Sequence, residues 1–183
     1  MGDLLDEQVI ERVLGGDKNL YGILVDRYAG LVYRLALNIL HDCDTAEDMT
    51  QESFMIAYEN LECLRNPSTF ASWIAVITRN QCHKLQRKQK IAPLSLDYLG
   101  EIGIEPGDHG NSPMIDKHRA TSLRKIIATL PEKYRIILDL RYVEEFSYKR
   151  VSDFLGITMS AVKSRLYHAK KEVLKRLKKE GWL

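Results

Sequence analysis

Apolar residues recur at helical steps along most of the chain. Leu20, Ile23, Leu24, Tyr28, Leu31, Leu35 and Ile39 follow one another mainly at intervals of three and four, which lines one side of a helix. Ahead of them, Leu5, Val9, Val13 and Leu14 form a shorter amphipathic stretch that Gly15-Gly16 ends, and Asp17 stands where it can cap the next helix. His41-Asp42-Cys43 interrupts the pattern. Asp44-Thr45-Ala46-Glu47 then has the form of a capping box, with Asp44 at N-cap and Glu47 at N3. That helix is expected to run through Phe54 and Tyr58 to about Leu61. Asn66-Pro67-Ser68 is a turn, and a further helix from Thr69 carries Trp73, Ile74, Ile77 and Leu85 on one side. No segment alternates at period two, so no sheet is predicted.

Between Pro93 and Pro113 the pattern stops. Pro93, Gly100, Gly103, Pro106, Gly107, Gly110 and Pro113 punctuate this stretch, with acids between them. Structureless connections beyond roughly 12–15 residues are uncommon inside a compact domain, so residues 93–115 read as a flexible linker between a domain at 1–92 and another at 116–183. In the second domain a helix is expected from Asp116 to about Thr129. Pro131 opens the next at a first-turn position, and Ile136, Ile137 and Leu140 give it a buried stripe. Ser147 caps a short helix bearing Val151, Phe154 and Leu155; Gly156 makes the turn; Thr158 caps the final helix, Met159 to about Lys179. Short helix, glycine turn and long helix together make a helix-turn-helix. The predicted fold is all-α: two small helical domains joined by a flexible linker, the C-terminal one a helix-turn-helix.

Charge adds what the pattern cannot. The 183 residues carry a net +2, but unevenly. Residues 1–92 hold 10 bases and 13 acids, 93–115 hold four acids and no base, and 116–183 hold 17 bases and 8 acids. The successive net charges are −3, −4 and +9, and the last suits a polyanionic partner. The amino-terminal MGDLLDEQ is acidic rather than a basic leader, and no apolar run reaches the roughly 18–20 residues of a membrane span. A soluble, cytoplasmic protein with no membrane insertion of its own is expected. Cys43, Cys63 and Cys82 are odd in number and lack CxxC spacing, which favours neither a disulfide framework nor a zinc site. Neither a phosphate-cradling glycine loop nor a nucleophile elbow occurs, and the histidines are scattered. The expectation is a non-enzyme without cofactor or metal.

Three constellations carry recognition chemistry. On the final helix, Val162, Leu166, Ala169, Val173 and Leu177 form the inward stripe, leaving Ser160, Lys163, Ser164, Tyr167 and His168 on the other side. Hydroxyls and amines near a helix N-terminus can reach base edges in the major groove, with Arg165 and Lys170 placed for phosphates. The second is Arg79 to Lys90, with five bases, several amides and no acid, a composition suited to nucleic-acid backbone and exposed bases. Asn66, Phe70 and Trp73 lie just upstream and could wall a base pocket, although aromatics at this spacing usually enter the core. The third is Asp44 to Phe54, where Asp48, Gln51 and Glu52 share a face. Acids there would repel phosphate and suit a basic protein partner instead.

Together these stretches resemble the extracytoplasmic-function group of bacterial RNA polymerase sigma factors. Asp44–Phe54 resembles the family's acidic segment, Phe70–Ile74 and Ile77–Asn80 its aromatic and Arg-Asn motifs, and Leu130–Arg135 and Val162–Ala169 its two C-terminal motifs. The resemblance implies roles for the matching positions. Asp48, Gln51, Glu52 and Met55 would dock on the clamp helices of the polymerase's largest subunit, with the flap as a further contact. Asn66, Phe70, Trp73, Arg79, Asn80, His83, Lys84, Arg87 and Lys88 would capture melted −10 bases of the non-template strand. Ser160, Lys163, Ser164, Arg165, Tyr167 and His168 would read the −35 element as duplex. It also implies an anti-sigma factor as a partner. His168 stands where the family often has Arg, and Ser160 and Ala161 replace its usual Gly and Thr, so base preference does not transfer. Without the resemblance, a stand-alone helix-turn-helix regulator or a protein-binding adaptor would fit the basic C-terminal domain. Neither of these needs the Asp48 face or the basic Arg79–Lys90 end.

Overall fold

The computed structural model describes residues 4–88 and 123–179. The predicted linker, residues 93–115, lies outside them, as does the beginning of the helix expected from Asp116. Two compact units result, one built mainly from residues before 93 and the other mainly from residues after it. The described residues contain helices and no strand.

The first unit consists of α1 (Asp6–Leu14), α2 (Tyr21–Leu40), α3 (Cys43–Glu59) and α4 (Phe70–Lys88), with single 3-10 turns at Lys18–Leu20, Leu61–Cys63 and Pro67–Thr69. Helices α2, α3 and α4 pack pairwise, and α1 lies against α2. Val9, Ile10, Val13, Leu24, Val32, Phe54, Ala57, Leu61, Phe70 and Ile74 form one apolar core. On α1 the buried residues are Val9, Ile10 and Val13, whereas Leu5 and Leu14 are exposed. The inward stripe therefore turns on Ile10, one step round from the predicted side. Polar ties join the helices at their edges. Asp6 accepts from both Arg27 and Tyr28 of α2. The Tyr21 hydroxyl donates to the Phe54 carbonyl at 2.8 Å, and burial pushes its pKa up, keeping it a donor.

Two predicted caps move. Asp17 makes no side-chain cap and precedes a 3-10 turn rather than α2. Its carboxylate instead pairs with Arg12 at 2.7 Å. The cap of α3 is Asp42, not Asp44. Its backbone is extended (φ −146°, ψ 127°) and its carboxylate accepts from the Thr45 N–H at 2.8 Å and from the Thr45 hydroxyl. Asp44 lies inside the first turn, where its charge still favours the helix dipole. Because His41 takes the left-handed conformation (φ 60°), the interruption is shorter than predicted and Cys43 is already helical.

The second unit comprises a helical stretch over 123–128 (α5), α6 (Glu132–Tyr142), α7 (Tyr148–Leu155) and α8 (Met159–Lys179). Pro131 is the N-cap of α6, one place before its predicted position. Ile126, Leu130, Ile136, Ile137, Leu140, Phe146, Val151, Phe154, Leu155, Val162, Leu166 and Ala169 are buried, and α6 packs on α8. Buried Arg135 donates to the Leu130 carbonyl, closing the turn between α5 and α6. Ser147 caps α7 through the Arg150 N–H at 3.2 Å, and Thr158 caps α8 through the Ala161 N–H at 3.2 Å. Gly156 between them has φ +62°, a conformation that costs any other residue about 1 kcal/mol or more.

Asp42's carboxyl pKa is lowered first by its hydrogen bond with the Thr45 side chain and then by the Thr45 backbone. Its stabilisation is therefore present above the unfolded Asp value, about 4, and is lost as pH falls through the lower folded value. Asp42→Ala should cost about 1 kcal/mol at neutral pH, measured by urea denaturation. The gap from the parent should close in acid.

Candidate nucleic-acid interface

The exposed side of α8 is built by its own periodicity. With Val162, Leu166 and Ala169 turned inward, Ser160, Lys163, Ser164, Tyr167 and His168 are exposed, and Arg165 is half-buried. Val173 and Leu177 are only half-buried, so the seal loosens toward the C-terminus. Tyr167 is 63% exposed, large for a side chain with so much apolar area, and its ring meets that of His168 edge-on at 5.4 Å. The Thr158 hydroxyl, besides capping the helix, lies 3.1 Å from the Ser160 hydroxyl. The first turn thus presents polar groups fixed by the cap.

A neighbouring cluster escaped the sequence reading. Arg141 lies over the rings of Tyr142 and Tyr148 at 5.8 and 5.7 Å, and Lys170 lies 5.4 Å from the Tyr142 ring. The hydrogen bond with Tyr142 is the first cause of a raised Lys170 pKa. Since Lys170 follows Lys163 by two helical turns, the cations of α8 continue into this aromatic group. Tyr142 and Tyr148, each next to or near a basic residue, were the available signal.

In the first unit the basic side belongs to α4. Asn80, Lys84, Arg87 and Lys88 are exposed, while Arg79 and His83 are half-buried. Asn80, Lys84 and Arg87 stand one above another at steps of four and three. Gln89 and Lys90 lie outside the described residues. Just before α4, Asn66 is exposed, and its side-chain oxygen accepts from the Ser68 N–H at 3.1 Å and the Ser68 hydroxyl at 2.7 Å. Asn66 therefore shapes the turn as a cap, whatever else it touches.

Phe70 leaves the set of candidate contacts. It is fully buried, with ring centroids 5.6 Å from Tyr28 and 6.1 Å from Trp73. Its position is set by the first turn of α4, which points it at the core. Trp73 is half-buried and packs against the same core, leaving one part of its indole outward.

Helix α3 shows opposite chemistry on opposite sides. Ala46, Thr50, Ser53, Phe54 and Ala57 turn inward, and the Thr50 and Ser53 hydroxyls donate back to the Ala46 and Met49 carbonyls at 2.7 and 2.6 Å. Asp48, Gln51, Glu52 and Met55 are exposed, Met55 at 64%. A solvent-facing methionine within an acidic row is a docking chemistry for a partner that is basic and partly apolar. Among the described residues no group of side chains is arranged to hold a metal ion, and no helix is long and apolar enough to cross a membrane.

Residues 24–91 match the family model for sigma-70 region 2, and residues 120–173 match that for sigma-70 region 4. The RNA polymerase sigma-H factor of Pseudomonas aeruginosa is 31% identical over 94% of this chain and 93% of its own. The chain belongs to the sigma-70 family. SigV of Bacillus subtilis is 30% identical over 81% of this chain and 85% of its own, and the extracytoplasmic-function factor SigW of the same organism is 24% identical over 96% and 98%. This sigma factor falls in the extracytoplasmic-function group, whose members direct transcription initiation with core RNA polymerase at promoter DNA. Solved structures share its fold, among them two complexes. CnrH in complex with the cytosolic domain of CnrY matches with TM-score 0.63 at 18% identity, covering 94% of this chain and 97% of the other. RpoE of Bartonella quintana with the anti-sigma factor NepR matches with TM-score 0.58 at 20% identity, covering 84% and 94%. The stand-alone regulator and adaptor readings give way to the family.

Phe70→Ala should lower unfolding free energy by about 3–5 kcal/mol, measured by urea denaturation of the free protein. A base-contacting Phe70 would instead leave stability near that of the parent and weaken only DNA binding.

Proposed function

We propose a division of labour within this sigma factor in which α8 reads the −35 element as duplex, α4 and the turn before it hold the melted −10 strand, and α3 docks the polymerase. The observation that carries the reading is the separation of charge. Exposed cations lie on α8 and α4, with hydroxyls beside them on α8 and amides on α4, and exposed acids with Met55 lie on α3. Polyanionic DNA is attracted to the first two and repelled by the third.

On α8, Lys163, Ser164, Tyr167 and His168 contact base edges, and Ser160 and Arg165 hold the flanking backbone. On α4, Asn80 and the outward part of Trp73 meet unstacked bases, while Arg79, His83, Lys84, Arg87 and Lys88 follow the phosphates. Asn66 keeps the turn at Pro67–Thr69 in shape beside them. Holding bases outside the stack offsets a few kcal/mol of unstacking per step. No bond is made or broken by the factor itself: it is a non-catalytic subunit, working in the cytoplasm with the polymerase. The two solved structures compared above are complexes, one with an anti-sigma factor and one with a cytosolic domain of a second protein. An anti-sigma protein covering the DNA-binding faces is therefore included as a partner. The predicted domain limits, 1–92 and 116–183 with the acidic 93–115 between them, belong to the same proposal.

Run-off transcription with core polymerase tests the assignment. Lys163→Ala should reduce −35-dependent transcription by about 1–3 kcal/mol in apparent binding, whereas Lys84→Ala should weaken capture of a single-stranded −10 oligonucleotide and flatten its salt dependence by about 0.7 in log–log slope. Glu52→Lys should weaken core-polymerase binding in a pull-down while leaving duplex −35 binding unchanged. Intact −35 dependence in Lys163→Ala would remove α8 from its assigned role.

A further inference from the structure

The basic end of α4 is held by one long-range bond that the reading above does not use. Helix α2 stops at Leu40 because His41 takes the left-handed conformation, its N–H returning to the Leu37 carbonyl at 3.0 Å. Carbonyls in such a last turn lose their helical donors. The Ile39 carbonyl is met instead by the Gln86 side chain, whose Nε2 donates to it at 2.7 Å across 47 residues of sequence. Since Nε2 faces that carbonyl, Oε1 is the atom that faces the ring of His83, at 3.3 Å from Nδ1. Two acceptors cannot share a hydrogen bond, so a bond along this line is one that Nδ1 donates to Oε1. One amide thus joins α4 to the end of α2 and lies against His83 within α4.

What surrounds this bond makes it matter. From Lys84 onward, only Leu85 is even half-buried, and Gln86, Arg87 and Lys88 are all exposed. Little apolar burial restrains residues 84–88, the last described turn of α4, and a turn with few buried contacts opens locally at low cost. Yet this turn carries Arg87 and Lys88 and supports Lys84 and His83.

We propose that Gln86 is a positioning residue for strand capture: by donating to the Ile39 carbonyl it holds the end of α4, with His83, Lys84 and Arg87, in place for the −10 strand. The inference rests on the reading of α4 as the strand-capturing helix. Gln86 does not itself touch DNA in this role; it acts through the turn it anchors.

Two substitutions separate donor from bulk. Gln86→Leu keeps size and helix propensity but cannot donate, while Gln86→Lys keeps a donor long enough to reach the carbonyl. Hydrogen exchange on the full-length protein should show amides of residues 85–88 exchanging about three- to tenfold faster in Gln86→Leu, the scale of one net hydrogen bond. Gln86→Lys should stay within about twofold of the parent by the same measure. Holoenzyme carrying Gln86→Leu should bind a single-stranded −10 non-template oligonucleotide about three- to tenfold more weakly, with core-polymerase affinity unchanged. Unchanged exchange at the end of α4 in Gln86→Leu overturns the proposal. So does a Gln86→Lys protein that exchanges as fast as Gln86→Leu, or a loss of protection spread evenly through α2 and α3. Faster exchange with undiminished strand binding overturns it too. If Lys84→Ala is then equally without effect, the fault lies in the reading of α4's face; if Lys84→Ala still weakens the strand, it lies with Gln86.

Discussion

The corner between α2 and α3 is the constraint on which the first unit depends. A single left-handed residue, His41, ends one helix, and the extended, capping Asp42 begins the next. Only one further residue of α3 then separates this corner from Asp44, so the register of α3 is fixed at its start. Every later residue of that helix inherits it: Ala46, Thr50, Ser53, Phe54 and Ala57 enter the core, and Asp48, Gln51, Glu52 and Met55 are left outside. The same corner leaves the Ile39 carbonyl available to Gln86, which brings the basic end of α4 to it. The acidic face of α3 and the cationic end of α4, to which docking and strand capture are proposed, are thus both referred to one turn of chain.

Charge sorting explains why two helices of one small unit carry opposite signs outward. A uniformly basic surface would bind DNA everywhere at low salt, with orientation set by nothing. Acids on α3 repel phosphate from that side, a chemistry that suits a protein partner instead. In the second unit the sorting is simpler, because residues 116–183 carry a net +9 that attracts a polyanion. There, orientation comes from caps and aromatics. Thr158 fixes the first turn of α8, and the Arg141, Tyr142, Tyr148 and Lys170 group stiffens long side chains that would otherwise lose rotamer freedom on binding.

Periodicity made most of the helical architecture legible, because each helix must bury one stripe and expose the rest. Val162, Leu166 and Ala169 illustrate this, since finding them inward left Lys163, Ser164, Tyr167 and His168 as the exposed remainder. Caps were harder. Asp17, Asp42 and Asp44 are chemically alike, and which of them caps depends on backbone angles that the side chain does not announce; a left-handed His41 decided in favour of Asp42. Phe70 marks another limit. Its neighbours in sequence suggest a base-binding group, but the first turn of α4 directs it to Tyr28 and the core. The bond of Gln86 and the pairing of Tyr142 with Lys170 were harder to read for a related reason. Their partners lie 47 and 28 residues away in sequence, and polar residues on an exposed face carry no periodic signal of what they reach.

Two modest contacts on one molecule act differently from either alone. The groups on α8 and α4 are mostly hydroxyls, amides and single cations, each contributing about 1–3 kcal/mol at best. Once one domain is anchored on DNA, a second domain on the same chain meets its own site at an effective concentration rather than by free diffusion. Capture of the −10 strand then competes only with restacking of the melted bases, not with diffusion away. In that setting the orientation of α4's last turn weighs more than its raw charge, because an unstacked base remains available only while the duplex is open. In the role proposed for it, a helix end pinned by Gln86 meets such a base without first having to order itself, which is the physical advantage of preorganisation over additional cations.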